Sequence, residues 1–264
     1  MPTIPLLPQP GGPKFDQDRR QELAAAFLSG GQTYDRIRPG YPEESVDWLV
    51  PSGTGALDVL DLGAGTGKLT GALLARGHRV VAVDPSEDML AQLRLSLPTA
   101  QALLGTAEAL PLADGQVDSV VVAQAWHWFD HQAASAEIAR VLRPGGRLAL
   151  IWNQLDVTVP WVHRLSRIMH AGDVHRTGVD PQVSPQFSPA EHQVVLWQQR
   201  LTPEEILELA TSRSYFLRAG TRDRERVLTN LRWYLYEHLG HTVGENLELP
   251  YQALSWRMTL RPQR

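Results

Sequence analysis

Asp61 and Asp84 are the two side chains whose positions most restrict the chemistry available to this chain. Asp61 sits in the apolar run Val59-Leu60-Asp61-Leu62, which breaks at once into Gly63, Gly65 and Gly67 on a two-residue rhythm. A strand that opens into such a loop and then a helix leaves bare backbone N–H groups beside a ligand. The acid at the strand end can take a donor from that same ligand. Asp84 closes a second apolar run, Arg79-Val80-Val81-Ala82-Val83, one strand–helix–strand step downstream. In a doubly wound sheet a carboxylate there reaches the crevice at the strand ends, where ribose hydroxyls need an acceptor. The pair describes a site for a nucleoside-type cofactor. A third candidate is His127, between Trp126 and Trp128, just after the apolar run that ends at Ala123-Gln124. An imidazole titrates near working pH and can serve as a general base. Packing among the tryptophans is its ordinary alternative role, and His131 is a weaker candidate for the same task.

Two phosphate-binding loops are excluded by spacing. A Walker loop needs a glycine, four residues, then Gly-Lys-Ser/Thr. Here Leu62 stands at the first position and Leu69 follows Lys68, so no hydroxyl is placed for magnesium. The dinucleotide fingerprint needs its third glycine three residues after the second, where it permits close helix–strand packing. That position is Lys68 in this chain.

The elements that must position these groups alternate. Strands are expected over 57–62, 79–84, 101–105, 117–124 and 147–153, with helices over about 67–76, 86–96 and 132–142 between them. Arg143-Pro144-Gly145-Gly146 is expected to cap the last of these helices. Near-continuous apolar strands such as Val117 to Ala123 imply a parallel sheet covered on both faces. Upstream, a helix is expected over 16–28 and another from Pro42, turning Val46, Trp48 and Leu49 inward. Beyond Asn153 the pattern becomes helical near 158–171, 203–212 and 222–239, around one strand at 192–201, and a final strand runs from 247 to 260. Thr202-Pro203-Glu204-Glu205 is a strong helix start: a hydroxyl cap, proline in the first turn and acids against the dipole. The expected organisation is a loose tail (1–15), a helical N-terminal cover (16–55), a cofactor-binding core (56–153), and substrate-side helices with the last strands of the same domain (154–264). Residues 173–190 read as a lid or a linker.

Composition narrows the function classes. The 264 residues include no cysteine, which removes disulfides, thiolate metal sites and cysteine nucleophiles together. The formal net charge of −4 disfavours a nucleic-acid partner. No apolar window approaches the ~18 residues of a membrane span, and the N-terminus lacks a signal pattern. A cytoplasmic protein without membrane or metal dependence is expected, acting on a small molecule. The sequence leaves the oligomeric state open.

The Asp-x-Gly-x-Gly-x-Gly rhythm of Asp61 to Gly67, with Asp84, resembles motif I and its partner acid in class I S-adenosylmethionine-dependent methyltransferases. The resemblance covers roughly Phe27 to Trp152 and is closest to the small-molecule enzymes of the ubiquinone-pathway and trans-aconitate type. It implies a Rossmann-like, mostly parallel seven-stranded α/β sheet with an antiparallel last strand and a helical C-terminal insertion. It also implies S-adenosylmethionine as cofactor. Asp61 would hold the methionine ammonium, and Gly63, Ala64 and Gly65 would let the backbone approach it. Asp84 would accept both ribose hydroxyls, and Pro85 with Met89 would flank the adenine. The loop Gly105-Thr106-Ala107-Glu108-Ala109-Leu110-Pro111 would cover the adenine edge, with the Ala107 N–H on a ring nitrogen. The family usually has Asp where this chain has Thr106, so the amino group would meet a hydroxyl or a backbone carbonyl. Gln124 would lie at the strand end where the methyl reacts. Tyr34 and Arg38, in Tyr34-Asp35-Arg36-Ile37-Arg38-Pro39-Gly40-Tyr41-Pro42, would fold over the cofactor and engage its carboxylate. Tyr41, Trp128, Asn153 and Trp161 are the candidate acceptor contacts, and Trp152, His163 and Arg167 could extend an aromatic, partly basic pocket. Packing is the alternative role for each of these aromatics. The expected reaction is methyl transfer to an oxygen, nitrogen or carbon of a small organic acceptor, with a carboxylate or hydroxyl favoured. The competing readings are a binding protein that has lost catalysis, a nicotinamide enzyme and a nucleic-acid methyltransferase.

Overall fold

In a computed structural model, residues 37–51, 55–171 and 179–262 are described. The loose tail, the helix expected over 16–28, and Tyr34 lie outside them. The strands are β1 (Asp58–Leu62), β2 (Arg79–Asp84), β3 (Gln101–Leu104), β4 (Val117–Ala123), β5 (Leu142–Leu155), β6 (Glu191–Leu201) and β7 (Leu247–Thr259). They form one sheet in the order β3-β2-β1-β4-β5-β7-β6. β1 to β5 pair in parallel, whereas β7 runs antiparallel to both β5 and β6. Six strands therefore share one direction and the last strand opposes them, as the resemblance implied.

Side chains alternate between the two faces of the central strands, as a period of two requires. Leu60, Val120, Leu150 and Leu254 pack on one face with Ile138 of α4 (His131–Val141) and with Trp126. Val59, Val121, Ile151 and Ala253 pack on the other, against Val46 and Leu49 of α1 (Glu43–Leu49) and Leu69 and Leu73 of α2 (Lys68–Ala75). Between these two helices and α4 in the chain stands α3 (Glu87–Ser96). Its cap, Ser86, accepts the Met89 N–H at 3.4 Å. Asp130 caps α4 by accepting from Gln132 and Ala133.

A second apolar cluster stands beyond the carboxyl end of β5. It draws on α5 (Pro160–Ile168), α6 (Pro203–Thr211), α7 (Ser214–Arg218) and α8 (Thr221–Arg232), around Leu155, Leu249 and Tyr251. The start of α6 is the capping box that its sequence announced. Thr202 Oγ1 accepts the Glu205 N–H, and Glu205 accepts the Thr202 N–H.

Two expected boundaries move. Residues 143–146 do not cap α4: the helix stops at Val141, and β5 begins at Leu142. Pro144 lacks a donor and Gly145 has φ +77°, so this stretch bulges. The register accordingly shifts between Leu142 opposite Val117 and Arg147 opposite Ser119. The helix expected over 222–239 is regular only to Arg232. Trp233–His238 widens into a π turn in which the Leu239 N–H reaches back to the Tyr234 carbonyl at 3.0 Å.

Candidate active site

The glycine loop leaves β1 at the carboxyl edge of the sheet. The Gly63 N–H donates to the Val83 carbonyl at 2.8 Å, tying the loop to the end of β2. Gly63 has φ +72°, and a Cβ there would lie 2.6 Å from the Ala125 Cβ and 3.4 Å from the Phe129 ring. Gly65 has φ +55°, and a Cβ there would meet nothing within 4 Å among the described residues. Gly67 works differently. It packs the loop on α3, since a Cβ would come within 2.9 Å of Leu93 and Leu97.

Asp61 shares the parity of Val59 and so points to the α2 face. It is 1% exposed. Its Oδ2 accepts from the Thr70 hydroxyl at 2.6 Å, and its Oδ1 is buried with no hydrogen-bond partner among the described residues. Burial raises its pKa from the ordinary 3.8 to about 6, against the pull of the Thr70 hydrogen bonds, and Asp84 adds a small repulsion. Asp84, 8% exposed, accepts from the Gly65 N–H through Oδ2 and from the Ser86 N–H through Oδ1, each at 2.9 Å. Burial raises its pKa too, opposed by those two N–H groups. Each of its oxygens keeps a lone pair. Two carboxylates thus flank the glycine loop. One presents an unmet acceptor, the other a fixed fork.

The 105–112 loop continues this edge. The Gly105 N–H donates to the Asp84 carbonyl at 3.2 Å, and Thr106 pairs with Ala109 in a tight turn that buries Ala107. Its far side is held by α4. Arg140 donates to the Leu110 and Leu112 carbonyls and to Glu137 and Asp114, and Glu137 accepts the Leu110 N–H at 2.8 Å. Arg140 holds the Glu137 carboxyl below its ordinary pKa. Glu108 accepts the Asp130 N–H at 2.9 Å, joining the loop to the start of α4. Pro85 is exposed and Met89 half-buried on the same edge.

At the end of β4, Gln124 adopts φ +60°, a left-handed conformation that non-glycine residues seldom hold without a local reason. Its N–H donates to the Ile151 carbonyl and its side-chain amide to the Asn153 carbonyl. Asn153 in turn donates to the Gly40 carbonyl at 2.6 Å and accepts from Trp197 Nε1 at 3.2 Å. The ends of β4 and β5, the middle of β6 and the segment at Gly40 are thereby one hydrogen-bonded unit.

The other expected residues fall as follows. His127 is exposed on the short turn Trp126–Trp128, its ring 4.6 Å from that of Trp128. The buried aromatic there is Trp126, stacked on His131 at 5.2 Å. Tyr41 packs at the edge of the α1–α2 face. Arg38 donates to the Ser212 carbonyl at 2.6 Å. Trp161 packs within the C-terminal cluster, and its carbonyl accepts from Tyr234. Trp152 is buried edge-on against Trp256, whereas His163 and Arg167 are exposed. Trp152 and Trp161 pack in different apolar clusters. Among the described residues, no three His, Asp or Glu side chains are grouped to hold a metal.

Residues 60–150, from β1 through most of β5, match the family model of a methyltransferase domain. Over 242 residues the chain is 46% identical to an uncharacterised methyltransferase of Mycobacterium bovis, covering 91% of this chain and 98% of the relative. The chain belongs to the methyltransferase family. The methyltransferase is also 37% identical over 153 residues to a malonyl-[acyl-carrier protein] O-methyltransferase of Methylococcus capsulatus, covering 54% of this chain and 56% of the relative. Among solved structures it resembles one named for a type II methyltransferase of Anaeromyxobacter dehalogenans. The TM-score is 0.67 and the identity 26%, covering 86% of this chain and 99% of that one.

Several residues of this methyltransferase that shape the site carry no local signal. Phe129 stands over Gly63, yet in sequence it is one aromatic of a run. Arg140 and Glu137 brace the 105–112 loop from a helix that reads as an ordinary amphipathic one. Trp197 and Tyr251 reach the end of β5 only because β7 is inserted between β5 and β6.

Proposed function

We propose that this methyltransferase takes its methyl group from S-adenosylmethionine and delivers it to an oxygen of a small organic acceptor. The observation that carries the cofactor assignment is the buried Asp61 Oδ1, which has no hydrogen-bond partner among the described residues, beside a glycine loop in which a Cβ on Gly65 would meet none of them. A buried acceptor left unmet costs about 1–3 kcal/mol, which a ligand's ammonium donor would recover. Asp84 answers the second requirement, two hydroxyls on adjacent carbons, with one remaining lone pair on each fixed oxygen. The bound cofactor supplies a methyl on a sulfonium, already activated for displacement. Gly63, Ala64 and Gly65 give backbone approach, and Pro85 and Met89 line the adenine side. Thr106, Ala107 and Glu108 form its edge, with Arg140 bracing them. Gln124 marks the end of β4, beside which the acceptor must be aligned. Trp128 and Asn153 border that place, and Tyr41 stands on the neighbouring cover.

The remaining task for the protein is alignment and exclusion of water. A carboxylate acceptor is ionised at neutral pH and needs no base; a hydroxyl acceptor needs one, and His127 is its candidate. Oxygen is favoured as acceptor atom by the likeness to a relative named as an O-methyltransferase.

The test is transfer of labelled methyl from S-adenosylmethionine to a panel of carboxylic acids, phenols and amines, with product stability to mild base as readout. A base-labile ester is the expected product, and His127→Gln should then keep kcat within about threefold, because no proton has to leave the acceptor. Label found only on nitrogen or carbon would overturn the acceptor assignment.

A further inference from the structure

The two edges of the sheet are finished differently. At one, β3 is four residues long, and its Ala102 carbonyl accepts from Arg94 of α3 at 3.2 Å. A short edge strand flanked by charged side chains is one way a soluble sheet avoids pairing with another. At the other edge, β6 is eleven residues long and pairs with β7 alone among the described strands. The register is unbroken, from Glu191 opposite Arg257 to Leu201 opposite Leu247. The strand contains no proline and no lysine, and its stretch Gln193-Val194-Val195-Leu196-Trp197-Gln198-Gln199 carries no charge and no glycine. Seven residues of that composition on an open edge form a template for a further strand.

The two faces of β6 differ as well. Gln193, Val195, Trp197 and Gln199 are half-buried on the face that meets the N-terminal cover. Gln199 donates to the Ile37 carbonyl at 3.1 Å and Gln193 to Glu44 at 3.2 Å. The cover thus engages side chains on one face, not the backbone along the edge. On the other face Val194 is 40% exposed and Leu196 67%, and neither joins an apolar cluster.

A strand that matches this edge is β6 itself. In antiparallel pairing across a two-fold axis, residues directly opposite each other share a face. With the axis at Val195, Val194 lies opposite Leu196 of the second copy, and Leu196 opposite its Val194. His192 then meets Gln198, and no two charged residues of β6 are opposed. An axis at Leu196 would instead set Val194 against Gln198, and His192 against Arg200, a like-charge pair once the imidazole is protonated.

We propose that β6 is a dimerisation edge, along which two copies of this chain pair antiparallel about Val195 into one continuous sheet. The residues Glu191 to Gln199 would then be paired, about 30 Å of edge. The two-fold axis closes the assembly, because the edge left on each copy is β3. An interface built on one strand pair is at the small end of specific interfaces, so dimerisation should depend on concentration in the micromolar range. The proposal is independent of the methyl-transfer function.

The experiment is sedimentation velocity of the full chain from about 1 to 100 μM, where wild type should pass from one-copy to two-copy mass. Leu196→Lys should weaken the dimer at least about tenfold by placing a charge on the apolar pair. It should leave the melting temperature unchanged, since that side chain is already largely in water. Leu95→Lys, on exposed α3 beside the other edge, should leave the dimer intact. The chain has no cysteine, so one introduced thiol reports the register. Val195→Cys should oxidise to a covalent dimer, because opposed residues at the axis lie about 4.5–5.5 Å apart, within disulfide reach. His192→Cys, about 20 Å from its counterpart, should not. Wild type that stays monomeric at the highest concentration would overturn the proposal, the edge then being covered by another part of this chain or by a different protein. A dimer that Leu196→Lys leaves intact would overturn it too, as would absence of a cross-link at Val195.

Discussion

Replacing Asp61 by Asn should separate what this carboxylate costs the fold from what it does for binding. Burial raises its pKa from 3.8 to about 6. At about 1.4 kcal/mol per pH unit, that difference amounts to about 3 kcal/mol between the two protonation states. The sign follows from proton uptake. Between about pH 4 and 6 the folded chain holds this proton more tightly than the unfolded chain, so its stabilising contribution is present at low pH and is lost as pH rises through 6. Asn does not titrate. The stability of wild type minus that of Asp61→Asn should therefore fall by roughly 2–3 kcal/mol from pH 4 to pH 7, about 5–10 °C in melting temperature for a chain of this size. Taking the difference cancels the opposite trend of carboxyls held low by arginine, such as Asp58 and Glu137, whose stabilisation is lost as pH falls. Thermal unfolding of both proteins without ligand, in matched buffers, is the assay. An ammonium needs the ionised form, so wild-type affinity for S-adenosylhomocysteine should drop about tenfold per pH unit below 6. At pH 8 Asp61→Asn should lose about ten- to a hundredfold. A stability difference that stays flat across pH 4 to 7 would refute the reasoning, since Asp61 would then be ionised without penalty.

Gly63→Ala should lower S-adenosylhomocysteine affinity at least about a hundredfold and cost about 2 kcal/mol or more, because a side chain at positive φ is strained and its Cβ meets Ala125. Adding Ala125→Gly should relieve the clash but not the dihedral strain, and calorimetry of the single and double variants should show partial rescue only. Arg140→Met removes the donors to the Leu110 and Leu112 carbonyls. It should raise the dissociation constant of S-adenosylhomocysteine about tenfold, by loosening the adenine-side loop.

The strands were legible in the sequence because a doubly covered parallel sheet favours near-continuous apolar runs, such as Val120 to Ala123. The placement of Asp61 beside the glycine loop was legible because Gly63 follows two residues later, and that of Asp84 because it ends the next strand, whose parallel pairing brings it to the Gly65 N–H. The 143–146 stretch was not, since Pro-Gly marks the end of a helix and a bulge in a strand alike. Nor was the turn at Trp233–His238: over six residues a π turn has the same apolar pattern as an α-helix. Asn153 and Trp197 are far apart in the chain and meet only through the strand order β5-β7-β6. No spacing rule reaches across such distances.

The most direct test of the cofactor assignment is calorimetric titration with S-adenosylhomocysteine of wild type and of Asp84→Asn, which keeps the shape and removes the charge. One site of micromolar affinity in wild type, weakened at least about thirtyfold in the variant, is the predicted result for a carboxylate that holds two hydroxyls. A folded wild type that binds none, or an Asp84→Asn variant that binds equally well, would contradict it.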